Sequence, residues 1–410
     1  MAVYQIEKRD VGVKKILWGL VLQSVAIFLL GFTESNVLNG TIVVDILSAL
    51  FLVVGYVFLF TGAAQFLQAK GHAYGWSILA IFSVIGISVI LLLTMIQPHE
   101  TEPELIPFSK DDFLSHHNVI ELLLLFILAF PLLYIALVVG VYSGIAGINF
   151  FEVMDTLDTP ESGMSALSGI ASILAFGHFL LFLSRSFKKK GMPYSKIWGS
   201  LKQIQIGELG IVALIDFIFS ISLGTVIVYG LSHLFPQSVE NYLNESRITN
   251  LMSLGALAFG AIIMAPIVEE LLFRGFILQK WSLKWGVRAG VIVSSLLFAI
   301  CHFNFHIPAL FIGSLLLSSV YLRTKNLMSP ILLHCFYNSC VIAWASIDFF
   351  GKSALERTEM ISITEYQSLV EPLLPQRFLL LAFCTPAIIY YLYKRFPKQN
   401  TSLPILNESR

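Results

Sequence analysis

The chain has 410 residues, 56% of them hydrophobic and 13% charged, with 26 basic and 26 acidic side chains. A mean hydropathy of +0.79 lies well outside the range of soluble domains, and a formal charge of zero leaves no electrostatic footprint for a nucleic-acid partner. Apolar runs longer than about 18 residues recur, which excludes a soluble globular enzyme and predicts an all-α, polytopic transmembrane helical bundle of about 10–11 helices.

Residues 1–15 carry Lys8, Arg9, Lys14 and Lys15, and the positive-inside rule puts this end in the cytoplasm. The first apolar run follows Lys14-Lys15 without a small-residue cleavage site, so it reads as a retained helix rather than a signal peptide. Spans are expected near 16–32, 42–67 and 76–96, with Lys70 inside and the acidic loop 97–118 outside. Next come a long run at 119–148 containing Pro131, an acidic loop at 149–163 and a run at 164–184. The segment 185–202, with Arg185, Lys188, Lys189, Lys190, Lys196 and Lys202, is expected inside. Two inside ends require an even number of crossings, yet five runs lie between them. One run is therefore re-entrant or interfacial, or the long run is a hairpin. Residues 197–201 read as a short amphipathic surface helix.

Further spans are expected near 208–235, 251–279, 288–302, 306–322, 328–349 and 377–393. Alternate loops carry the basic residues: Lys280, Lys284 and Arg288, then Arg323 and Lys325, then Lys394, Arg395 and Lys398. All fall on the side of 185–202, so the C-terminus is expected in the cytoplasm as well. The chain divides into an N-terminal transmembrane extension at 1–184, a core at 185–395 and a cytoplasmic tail at 396–410. Cys301, Cys335, Cys340 and Cys384 lie in or beside apolar runs without CxxC spacing and read as membrane-buried thiols. Two triplets, Asn39-Gly40-Thr41 and Asn244-Glu245-Ser246, have the glycosylation pattern.

The stretch from Ala265 to Phe276 places Glu269, Glu270 and Arg274 inside an apolar run. Each charge there costs on the order of 2.5–3.5 kcal/mol on insertion scales, so it needs a partner or a polar cavity. Glu270 and Arg274 are four apart and share a helix face, which predicts a neutralising pair. Glu269 is turned about 100° from Glu270 and has no local partner, which leaves it available for chemistry. Two later spans answer this one. Phe298 and His302 are four apart, so the phenyl ring packs beside the imidazole, and His334 and Asn338 likewise share a face. Counting from the basic ends at about 1.5 Å per residue, Glu269 lies roughly 16 Å deep, His302 roughly 21 Å, His334 roughly 13 Å and Asn338 roughly 19 Å. A carboxylate, two imidazoles and an amide converging at one depth form an acid–base set with an oxyanion donor. Asn304 and His306, close behind His302, read as ordinary loop residues.

The order Glu269-Glu270-x-x-x-Arg274, Phe298-x-x-x-His302, His334-x-x-x-Asn338 resembles the CPBP family of intramembrane endopeptidases, the CAAX proteases and bacteriocin-processing (Abi) proteins. The resemblance covers roughly 185–395. It implies a helical bundle with a conical cavity open to cytosol and lipid, and hydrolysis of a peptide bond in a membrane-anchored protein or peptide substrate. It also implies that Glu269 activates water, that His302 and His334 are the essential histidines, and that Asn338 stabilises the oxyanion. Glu270, Arg274 and Phe298 support them. The family is usually described as metalloproteases, which would make His302 and His334 zinc ligands. A catalytic zinc wants three protein ligands plus water, however, and no His-Glu-x-x-His motif is present. Glutamate-dependent hydrolysis, with or without a loosely held zinc, fits better. Two other functions compete with a protease: a non-proteolytic scaffold or receptor of the same fold, and a proton-coupled transporter. The latter lacks the inverted repeat common in transporters.

Overall fold

The structure, a computed structural model, describes residues 2–34, 42–96, 119–130, 132–134, 174–185, 198, 204–245, 248 and 250–404, apart from 303, 354, 355, 358, 399 and 400. These residues are helical almost throughout, and no strand occurs among them. The chain divides into two compact units, residues 1–141 with 174–191 and residues 142–173 with 192–410.

In the first unit α1 (Ala2–Glu34) and α2 (Ile42–Ala69) pair along their length. The pairing rests on glycines seven apart in each helix. A Cβ at Gly12 would lie 2.8 Å from the carbonyl oxygen of Gly62, and one at Gly19 would lie 2.7 Å from that of Gly55. Helix backbones in a membrane approach this closely only at small residues, and van der Waals packing then holds them. The run at 76–96 is not the single helix expected. A 3-10 segment (Tyr74–Phe82) gives way to α3 (Ser83–Ile96) at Ser83, whose φ is 51°. The Ser83 hydroxyl donates to Gln23 Oε1 of α1 at this break. Of the run at 119–148, the structure describes α4 (Val119–Leu124), the π turn Leu125–Ala129 and a few residues after it. Of 164–184 it describes α5 (Leu174–Arg185). Residues 131 and 135–173, on which the topology of 119–184 turns, residues 197–201 other than Trp198, and the Asn39 triplet lie outside the described residues.

The second unit follows the expected spans closely. It contains α6 (Ile206–Leu234), α7 (Pro236–Glu245), α8 (residues 251–285), α9 (Val287–Ile300), α10 (Ile307–Thr324), α11 (Met328–Gly351), α12 (Ile363–Val370) and α13 (Leu374–Arg395). Six helices among the described residues, α2 and five in this unit, are long and apolar enough to cross a membrane. Their number and composition bear out the all-α polytopic class. Two boundaries differ from expectation. Helix α9 ends at Ile300, so His302 sits in the turn beyond it. The last span begins far earlier than 377, because α12, a 3-10 turn at Glu371–Leu373 and α13 run on from one another. Ser362 starts this segment by accepting from the Glu365 N–H at 3.3 Å, and Pro372 and Pro375 fall in first-turn positions where no N–H is needed.

Apolar side chains of α6, α10, α11 and α13 form the core, among them Val212, Leu316, Val320, Leu333 and Ile388. Basic residues tie segment ends together: Arg323 pairs with Glu208 at 2.8 Å and Arg288 Nε donates to the Pro397 carbonyl at 3.4 Å. At the opposite end of α6, Asn244 clasps the chain before α12. Its Nδ2 donates to the carbonyls of Glu240 and Ile361, and its Oδ1 accepts from the Ile361 N–H. The amide of this glycosylation-type triplet is thus occupied by the protein itself. All four cysteines are free thiols.

Candidate active site

Helix α8 carries the acidic motif, and it is not a regular α-helix. Two π segments, Gly260–Met264 and Phe273–Leu278, flank the α segment Ala265–Leu272. Such π segments concentrate at functional sites, and here the sequence supplies a cause. The Ala265 N–H bonds to the Gly260 carbonyl five residues back. The next acceptor in that register, Ala261 O, would need an N–H from residue 266, which is proline and has none. Asn338 of α11 fills the place: its Nδ2 donates to Ala261 O at 2.7 Å. This bond uses one amide hydrogen and leaves the second free to donate elsewhere.

Glu270 and Arg274 form the pair read from their spacing, at 2.7 Å, with side chains 0% and 1% exposed. The tertiary structure adds three partners. Arg274 NH2 donates to the Ser314 carbonyl at 3.1 Å and to its hydroxyl at 2.7 Å, and the guanidinium stands 4.7 Å over the Phe298 ring. The oxygen of Glu270 that accepts from Arg274 also faces His334 Nδ1 at 2.9 Å. His334 therefore contacts Glu270 directly, a bond between α8 and α11 that the spacing did not foretell. Phe298 does more than pack beside His302. Its ring lies 4.7 Å from the His302 ring, 6.0 Å from that of His334 and 5.1 Å from that of Phe273. Four side chains, two from α8, one from α11 and one from the turn after α9, thus meet at one phenyl ring.

The acceptors fix the imidazole tautomers. His302 Nδ1 lies 2.8 Å from the Phe298 carbonyl, which can only accept. His334 Nδ1 faces a carboxylate oxygen already bonded to a guanidinium. Both Nδ1 atoms therefore carry the proton, and each Nε2 is left as the chemically available nitrogen. Glu269 is half-buried. Its Oε2 is shielded from solvent and has no hydrogen-bond partner among the described residues. His306 is a loop residue as expected, its N–H bonded to Asn304 Oδ1 in an Asx turn leading into α10.

The ligand set does not suit a conventional zinc. Among the described residues no group of three or more His, Cys, Asp or Glu side chains comes together as a metal site. His302 and His334 offer two nitrogens, and a catalytic zinc wants a third protein ligand.

Residues 251–340 match the family model of the Rce1-like type II CAAX prenyl endopeptidases. The match supports placing this segment with the CPBP/CAAX proteases. The match spans all three motifs, from Glu269 to Asn338, and it is the family their order and spacing resemble. The family supports intramembrane endopeptidase activity in general, a membrane setting and a membrane-associated protein or peptide as substrate. No curated protein and no solved structure gives a significant match to the chain.

Two side chains in this unit escaped the sequence reading. Ser314 anchors Arg274, and nothing marks it among the other serines of α10. Asp216 lies 7% exposed inside α6, with Oδ1 unpartnered among the described residues. Like Glu269, Asp216 is a carboxylate within an apolar run, the sequence signal by which it could have been found.

Proposed function

We propose that the chain is an intramembrane endopeptidase in which Glu269 is the general base for an attacking water. The observation that carries this reading is the division of labour between the two adjacent glutamates. Glu270 is committed to Arg274 and His334, whereas Glu269 keeps a shielded oxygen free of hydrogen bonds. A carboxylate so placed binds a water hydrogen without first giving up a partner. The second water hydrogen points to an imidazole Nε2, the nitrogen left open on both histidines.

As the water oxygen attacks the scissile carbonyl, Glu269 takes its proton and negative charge develops on the carbonyl oxygen. The free N–H of Asn338 is the donor for that oxyanion, held in orientation by the bond to Ala261 O. Glu269 then passes its proton to the departing amine, which restores the carboxylate and balances the hydrolysis. Glu270, Arg274 and Phe298 hold the histidines in position. By the positive-inside rule the basic ends of α9, α10 and α13 and the C-terminus face the cytosol, and Lys8, Arg9, Lys14 and Lys15 assign the N-terminus to the same side. A substrate anchored in the inner leaflet reaches the site from that side.

The test is cleavage of a fluorogenic lipid-anchored peptide by the purified protein in detergent or proteoliposomes, wild type beside Glu269→Ala and Glu269→Gln. Loss of a general base costs about 10²–10⁴-fold in rate, and both variants should melt like the wild type. Cleavage that persists at the wild-type rate in either variant removes Glu269 from this role.

A further inference from the structure

Asp216 stands in the apolar core of the second unit, at a level the histidine chemistry does not explain. It lies on α6, and the packing around it involves both helices that carry the supporting network. On α10 its neighbour is Gly313: a Cβ built there would lie 2.9 Å from Asp216 Oδ2. Gly313 immediately precedes Ser314, whose carbonyl and hydroxyl hold Arg274. On α11, Tyr337, one turn beyond His334 and adjacent to Asn338, packs on the same core as Val212, Ala213 and Phe219 of α6. Ser220, one turn along α6 from Asp216, is buried with it and puts a hydroxyl on the same helix face. Tyr337 itself packs against the α6–α10–α11–α13 core.

No cation pairs with Asp216 among the described residues, and its Oδ1 accepts no hydrogen bond. An ionised carboxylate buried in this way would be heavily penalised. The neutral acid carries a far smaller penalty, and it has a proton to donate to a neighbouring hydroxyl such as that of Ser220 or Tyr337.

We infer that Asp216, as the neutral acid, is a positioning residue that locks α6 against α10 and α11 and so sets where Ser314–Arg274–Glu270 and His334–Asn338 stand relative to one another. The inference rests on the endopeptidase reading for its kinetic consequence and on packing for its structural one. Asn is the isosteric neutral mimic of the protonated acid, and Leu fills a similar volume without polar atoms.

The experiment compares wild type, Asp216→Asn, Asp216→Leu and Glu269→Ala in proteoliposomes. Asp216→Asn should keep kcat and KM near wild type. Asp216→Leu should remain folded and keep KM but lose kcat by about tenfold to a hundredfold, the cost of displacing catalytic groups by about an ångström. The infrared difference spectrum between wild type and Asp216→Asn at neutral pH should contain a protonated-carboxyl stretching band. Alkylation of Cys335, next to His334, should be faster in Asp216→Leu and unchanged in Asp216→Asn. A wild-type kcat in Asp216→Leu overturns the inference, as does an Asp216→Asn variant as impaired as Asp216→Leu. Absence of the protonated band overturns it too. If no Glu269-dependent cleavage is found, the endopeptidase reading has failed, and the infrared and alkylation results then decide the lock by themselves.

Discussion

Arg274→Ala is the substitution whose consequence the geometry defines best. It removes the 2.7 Å partner of Glu270, two hydrogen bonds to Ser314 and the cation over Phe298. Glu270 is left fully buried with His334 as its remaining donor. Deleting one partner of a buried ion pair costs about 3–5 kcal/mol, because the other charge stays behind uncompensated. At roughly 2–4 °C per kcal/mol for a unit of this size, the melting temperature should fall by about 6–20 °C. Glu270→Gln is milder. The amide oxygen still accepts from Arg274, which keeps Ser314 and Phe298, so the loss should be about 1–3 kcal/mol. The double variant Glu270→Gln/Arg274→Met, which removes the buried charges together, should melt above Arg274→Ala. Detergent melting followed by tryptophan fluorescence and by retention on size exclusion measures all three. Arg274→Ala melting with the wild type, or the double variant melting below it, would refute the buried-pair argument.

The remaining predictions concern three other contacts. Asn338→Ala should destabilise the protein by about 1–3 kcal/mol beyond its effect on activity, by orphaning the Ala261 carbonyl. Pro266→Ala should recover part of that loss in the double variant by restoring a helical N–H, and additive effects in the melting cycle would disprove the coupling. In the N-terminal unit, Gly12→Leu or Gly62→Leu should force α1 and α2 apart, since the added Cβ meets backbone within 3 Å. A disulfide engineered across the pair should then form in wild type and fail in the variants. Zinc content of the purified protein should be substoichiometric and chelators should inhibit only partially. About one zinc per chain, lost together with activity in both His302→Ala and His334→Ala, would instead call for the tight metal site that the ligand count disfavours.

Much of the candidate site was legible because it is local. Residues four apart on a helix must meet, and so Glu270–Arg274 and Phe298–His302 follow from spacing alone. The membrane class and the spans of the second unit follow equally directly, since a bilayer demands long apolar helices whatever the packing. The extra length before 377 was hidden by polar residues and prolines, which read as loop but fit the first turns of helices. Contacts between helices were not legible, because rotation and crossing angle are set by side-chain packing that no single segment specifies. His334 meeting Glu270 across 64 residues, Ser314 anchoring Arg274 and Asp216 lying behind both networks are of this kind. The shift of α8 into π register stands between the two cases. Pro266 announces in the sequence that a carbonyl must lose its helical donor. Only the tertiary structure decides that the carbonyl is Ala261 O and that Asn338 satisfies it, because the donor comes from another helix.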